Sequence, residues 1–123
     1  MREDRYCEVC GKPYAELHHI IHRSAAAYLT NIPINFKFLC GEHHRGNRSP
    51  HKCHSIDRKY KIELQMKLEA MFTKDYYSDE EIRQALKISK SEIKKLTKKM
   101  ILHKEGYIRE DIIKRLLGGR FYV

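Results

Sequence analysis

Apolar positions along the first third of the chain fall in two short bursts. Ala15-Glu16-Leu17-His18-His19-Ile20-Ile21 sets apolar and β-branched residues around a histidine pair and predicts a short strand. Ile34-Asn35-Phe36-Lys37-Phe38-Leu39-Cys40 predicts a second strand. It runs into Gly41-Glu42-His43-His44-Arg45-Gly46, a turn into a short helix. Beyond Asp57 the period becomes helical. Tyr60, Leu64, Leu68 and Met71 fall on one face of a helix over 57–72, with Asp57 placed to cap it. Ser78 and Glu81 form a capping box with Tyr77 and Ile82 as its staple, which predicts a helix to about Lys87 with Ile82, Ala85 and Leu86 inward. Ser89 with Glu92, and Ile88 with Ile93, repeat the arrangement. The second helix should bury Ile93, Leu96 and Met100 and end at Gly106. A last helix opens at Arg109-Glu110-Asp111, turns Ile112, Ile113, Leu116 and Leu117 inward and stops at Gly118-Gly119. The fold class expected is α+β, with a module over 1–56 and a helical module over 57–123.

Composition sharpens this division. The chain has 123 residues, 25 Lys+Arg against 16 Asp+Glu, and a net charge of +9. Up to Asp57 there are 8 basic and 6 acidic residues, giving +2; the remainder has 17 against 10, giving +7. Seven of the eight His and all four Cys lie between Cys7 and His54, so one part collects metal ligands and the other positive charge. A polyanion is the natural partner of the second part, nucleic acid ahead of a membrane surface, although a solvated face accounts for the same charge. No apolar run is long enough to cross a bilayer. The charged start Met1-Arg2-Glu3-Asp4-Arg5 has no apolar region of a secretory signal, and a cytoplasmic setting is expected.

The cysteines therefore read as metal ligands before disulfides. Cys7 and Cys10 form a C-x2-C knuckle turned by Gly11 and Pro13, and Cys40 with His43 makes a second x2 pair about thirty residues on. Four such ligands suit tetrahedral zinc, the staple that so short a module needs. Cys53 or His54 is the alternative for one member of the set. The pair His18-His19 lies on a strand, where neighbours point to opposite faces. One can bind a metal while the other handles a proton.

Taken together, Cys7-x2-Cys10, Leu17-His18-His19-Ile20-Ile21, Asn35 and Leu39-Cys40-x2-His43-His44 resemble the HNH endonucleases of the ββα-metal fold, over residues 6 to about 54. The resemblance implies that His18 and His44 hold a catalytic divalent ion, Mg²⁺, Mn²⁺ or another. It makes His19 the general base and Asn35 the residue that orients its loop. His51 is a further candidate ligand, with Asn47 competing. Implied with these is hydrolysis of DNA phosphodiester bonds to 5′-phosphate and 3′-hydroxyl ends. The chain departs from the family where the second zinc pair commonly reads C-x2-C-H, so His43 and His44 could exchange roles. It departs again in the loop after the His18-His19 pair, where Arg23-Ser24-Ala25-Ala26-Ala27 stands for a common Gly pair.

Arg23 and Arg45 lie close to these residues in sequence and are placed to contact phosphates. The two capped helices resemble the helix-turn-helix of DNA-binding domains, over 78–103, with Lys94, Lys95, Lys98 and Lys99 exposed on the second. Lysine there suits phosphate contact rather than base reading. Double-stranded DNA is the expected partner, in a phage, a mobile element, restriction or repair. A non-catalytic zinc-containing DNA-binding regulator and an RNA-directed nuclease are the rival readings. Cleavage specificity and oligomeric state leave no mark in the sequence.

Overall fold

The computed structural model describes residues 5–123 and is of mixed α+β class. A turn at Cys7–Gly11 opens it. Gly11 donates to the Cys7 carbonyl at 2.9 Å, with a φ of +80° that a side chain would strain. Strand β1 (Glu16–His19) pairs antiparallel with β2 (Phe36–Leu39), His18 opposite Lys37 and His19 opposite Phe36. Between them the chain makes two 3-10 turns, Ala27–Leu29 and Pro33–Asn35. Helix α1 (Gly41–Arg45) follows β2 directly, and α2 (His54–Met71) crosses to the second half.

The second half is a pair of helices, α3 (Asp79–Leu86) and α4 (Lys90–Thr97), enclosed by two short strands, β3 (Tyr76–Tyr77) and β4 (Tyr107–Ile108), which pair antiparallel. Helix α5 (Arg109–Leu116) closes the chain. The Ser78–Glu81 box is complete in both directions, while at Ser89 the side chain accepts from the Glu92 amide at 3.2 Å without the return bond from the Glu92 carboxylate. Among the described residues no helix is long and apolar enough to cross a membrane.

Four local expectations are corrected. Helix α2 starts at His54 with Cys53 at its N-cap, so Asp57 lies inside the first turn and is buried rather than capping. At the other end Phe72, not Met71, is buried. Phe72 continues the four-residue spacing of Tyr60, Leu64 and Leu68, and its ring meets Tyr77 edge-on at 5.1 Å, while Met71 is 39% exposed. Ala85 is exposed, because Ile82 and Leu86 alone span the inner face of α3. Finally, α4 ends at Thr97, well short of Gly106. Gly106 closes a turn in which it and His103 exchange backbone hydrogen bonds, and a Cβ there would sit 2.7 Å from the Tyr77 carbonyl oxygen. Glycine is required by the close approach of the two short strands, not by a helix end.

The two halves share one apolar core, in which Leu29, Ile32 and Leu39 join Leu64, Leu68, Leu96, Ile112 and Leu116. Arginines stitch its margins. The Arg109 guanidinium donates to the Phe72 and Glu69 carbonyls at the end of α2. Arg115 donates to the Leu96 and Lys95 carbonyls in α4 while its guanidinium stacks 3.5 Å from the Tyr28 ring centroid. Tyr28 returns a hydrogen bond to the Arg115 carbonyl at 2.7 Å. Just beyond α5, Gly118 lies so close to Ile21 that a Cβ would stand 2.9 Å from Ile21 Cγ2.

The exposure difference at the end of α2 has a measurable consequence. Phe72→Ala should lower unfolding free energy by about 3–5 kcal/mol, whereas Met71→Ala should change it by about 0.5 kcal/mol or less. Urea unfolding followed by circular dichroism would check this, and equal losses at the two positions would contradict the packing described.

Candidate metal centres and the histidine cleft

The first centre is built where the knuckle meets the β2–α1 junction. Cys7 and Cys10 come from the turn, Cys40 from the end of β2, and His43 from the middle of α1. Cys10 and Cys40 sulfurs lie 3.8 Å apart, and His43 Nδ1 is 3.6 Å from Cys7 Sγ and 3.3 Å from Cys40 Sγ. With Zn–S of about 2.3 Å and Zn–N of about 2.0–2.1 Å, a tetrahedron has S···S edges of about 3.8 Å and S···N edges of about 3.6 Å. The donor set and its spacing fit a metal such as zinc.

Electrostatics agree. Burial opposes ionisation of the Cys7 thiol, yet backbone N–H groups of Cys40, Cys10 and Val9 prevail and lower its pKa to about 6. At Cys10 the Lys12 backbone donor pulls downward, but partial desolvation and the Cys7 and Cys40 sulfurs push the thiol up overall. One thiolate thus forms readily and the next resists, a conflict that a divalent cation removes. Cys53 lies outside the set, its sulfur 3.2 Å from Ser55 Oγ, and His54 is exposed.

The second centre lies one residue along α1. His43 and His44 project about 100° apart on a helix, so His43 turns to the sulfurs and His44 to β1. His44 joins His18 and His51, with ligand atoms within 4.8 Å of one another. A carboxylate only accepts, so His44 Nδ1–H donates to Glu16 Oε1 at 2.8 Å and keeps the lone pair on Nε2. Glu16 also takes a bond from Arg45 at 2.7 Å, and the His44 hydrogen bond is the main cause of its lowered carboxyl pKa. His44 Nε2 faces His51 Nε2 at 3.1 Å. Two nitrogens sharing an ion at about 2.1 Å stand about 3.0–3.4 Å apart. His18 is 2% exposed and its Nε2 has no hydrogen-bond partner. Burial, then the nearby His51, His44 and His22, pushes His18 down to a pKa of about 3, and burial lowers His51 as well. Neutral imidazoles with unused lone pairs are what a metal requires.

His19, the last residue of β1, opens onto the same cleft of about 420 Å³, together with His18, His22, Arg23, His44 and His51. Its Nε2–H donates to the Thr30 carbonyl at 2.9 Å, which leaves Nδ1 as the basic nitrogen. Asn35 is buried beneath. Its Oδ1 accepts from the Ile21 amide at 2.7 Å, and its Nδ2 donates to the Ile21 and Leu29 carbonyls at 3.1 and 3.4 Å. One amide therefore ties the end of β1 to the turn that presents Thr30.

No family model matches the chain, and neither do the curated proteins or solved structures with which it was compared.

The remaining residues divide. Arg23 borders the cleft, whereas Arg45 is engaged with Glu16. Lys94 and Lys98 are exposed at α4 and its C-cap, and Lys95 is 3.4 Å from Glu92. Sequence reasoning missed Glu16, His22 and Asp57. Glu16 carries a signal, since it shares a strand face with His18. His22 and Asp57 carry none, because a bend and a long loop separate them from the other histidines.

For the first centre, the purified chain should hold about one zinc that Cys40→Ser loses with unfolding of the surrounding turn, while Cys53→Ser keeps it. Metal analysis by mass spectrometry with circular dichroism reads both. Loss on Cys53→Ser, or retention on Cys40→Ser, would remove the assignment.

Proposed function

We propose that this chain is an HNH-type endonuclease that hydrolyses DNA phosphodiester bonds, with a structural zinc at Cys7, Cys10, Cys40 and His43. The observation that carries the reading is the placement of His19. Its imidazole is fixed by a backbone carbonyl, with Nδ1 free, in a cleft shared with the clustered histidines His18, His44 and His51. A lone buried histidine has structural uses; this combination matches phosphodiester hydrolysis, which needs a base, a positioned water and charge neutralisation.

In this reading His18, His44 and His51 would hold the catalytic divalent ion, which would supply charge stabilisation to the cleavage. His19 Nδ1 takes a proton from water as the water oxygen bonds to phosphorus and the bond to the 3′ oxygen breaks, and the departing 3′ oxygen takes a proton from solvent. The products are a 5′-phosphate and a 3′-hydroxyl. Thr30 steadies the imidazole through the donated Nε2–H. Asn35 is a positioning residue, holding the Ile21 and Leu29 backbones on either side of the loop. Glu16 sets the His44 tautomer, and Arg23 meets phosphate at the edge of the cleft.

Helices α3 and α4 serve as a helix-turn-helix that holds the DNA. What supports this is the capped pair, its turn at Lys87 with a φ of +56°, and the exposed Lys94 and Lys98. Helix α4 packs on the Ala27–Leu29 turn, next to the loop that bears Thr30, so DNA held there lies on the element flanking the cleft.

His19→Ala should slow plasmid nicking in Mg²⁺ or Mn²⁺ by about 10²–10⁴-fold without loss of fold or bound metal. Wild type that cuts neither duplex DNA, single strands nor RNA across several divalent metals would overturn the nuclease reading, and preference for structured RNA would move the substrate class. Separately, joint Lys94→Glu and Lys98→Glu should weaken DNA binding and flatten the log–log salt slope by roughly 2. An unchanged slope would return that face to solvent.

A further inference from the structure

Three buried polar atoms point at one another from three separate elements: His18 Nε2 on β1, His22 Nε2 after the bend, and Asp57 Oδ1 on α2. None has a hydrogen-bond partner, although each of the three residues offers a ligand atom within 4.8 Å of those of the other two. His22 and Asp57 are 3.4 Å apart, close enough for an ion pair but not aligned as a hydrogen bond. That spacing is instead the edge between two ligands bound at about 2.1 Å to one cation. Asp57 is only 8% exposed, and Lys61 Nζ holds its other oxygen at 2.8 Å, which fixes the carboxylate with Oδ1 turned inward.

We propose that His18, His22 and Asp57 form a second, inner seat for a divalent cation, overlapping the outer seat of His18, His44 and His51. This rests on the metal-binding role proposed for His18. The two seats exclude each other, because a neutral imidazole has one available lone pair and His18 belongs to both. The two-nitrogen, one-carboxylate set suits zinc, cobalt or manganese. The three-nitrogen outer set has no carboxylate and favours the softer of these. Two seats of different chemistry with a common ligand let one ion take a position facing the cleft or one facing α2.

The test counts ions in the full chain with Co²⁺ as the probe, by equilibrium dialysis and mass spectrometry. Thiolate-to-cobalt absorption reports separately that the cysteine set is filled and folded. Wild type should bind two equivalents, one in the cysteine set and one among the histidines. The His44→Ala/His51→Ala variant should still bind two, through the inner seat, and adding His22→Ala should reduce this to one. Adding Asp57→Asn instead should do the same, which guards against a single disruptive change. A wild-type count other than two, loss already in the double variant, or retention after either addition would overturn the proposal. Nicking is scored apart: two bound ions with no cleavage would sink the nuclease reading and leave the inner seat standing.

Discussion

The arrangement of the first half depends on the pull of His43 into the three cysteines. Helix α1 has five residues, no side-chain cap and no buried member. A helix that short does not persist by itself, since its few hydrogen bonds barely offset nucleation. It is held by its side chains. His43 anchors one side to the Cys7, Cys10 and Cys40 sulfurs, and Glu16 anchors the other through His44 and Arg45. The register of α1 against β1 is thereby set, and with it the direction of His44. The order of dependence runs from the cysteine set to the helix and only then to the cleft.

The legible part of the sequence was the part governed by short spacings. The two x2 pairs, the strand alternation around His18 and the capping boxes involve neighbours whose geometry the backbone fixes within a turn. These placed β1 and β2, most helices and the residues that meet at the cysteine set, but not the two-residue strands β3 and β4, which pair across the α3–α4 segment. Errors came where one spacing admitted two outcomes. Met71 and Phe72 both follow Leu68 on an apolar stripe, and the ring of Tyr77 decides between them. Asp57 has the chemistry of a cap, but its burial beside Lys61 and His22 belongs to packing across the molecule. Gly106 has the chemistry of a helix stop, while the nearby Tyr77 backbone is what demands it. The pair His43-His44 was ambiguous by letters alone, and the rotation per residue of α1 separates the two.

Positive charge, counted as a total, overstates what is available to a polyanion. Arg109 and Arg115 are spent on the carbonyl ends of α2 and α4. Lys37 lies between Glu8 and Glu63 over the Tyr60 ring, and Lys61 is tied to Asp57. Part of the excess that marks the second half is therefore structural. Guanidinium suits that work because it satisfies several carbonyls while stacking on an aromatic face, as Arg115 does on Tyr28.

Gly118 gives this linkage a mechanical side. Its φ of +81° and its proximity to Ile21 place the end of α5 against the residue whose amide Asn35 grips. Ile21 is two residues from His19. The last helix thus acts as a backstop for the strand end that carries the half-buried imidazole of His19. A methyl group added at a position almost a hundred residues away in sequence would be felt there as a shove, through a single side chain, without touching the cleft itself.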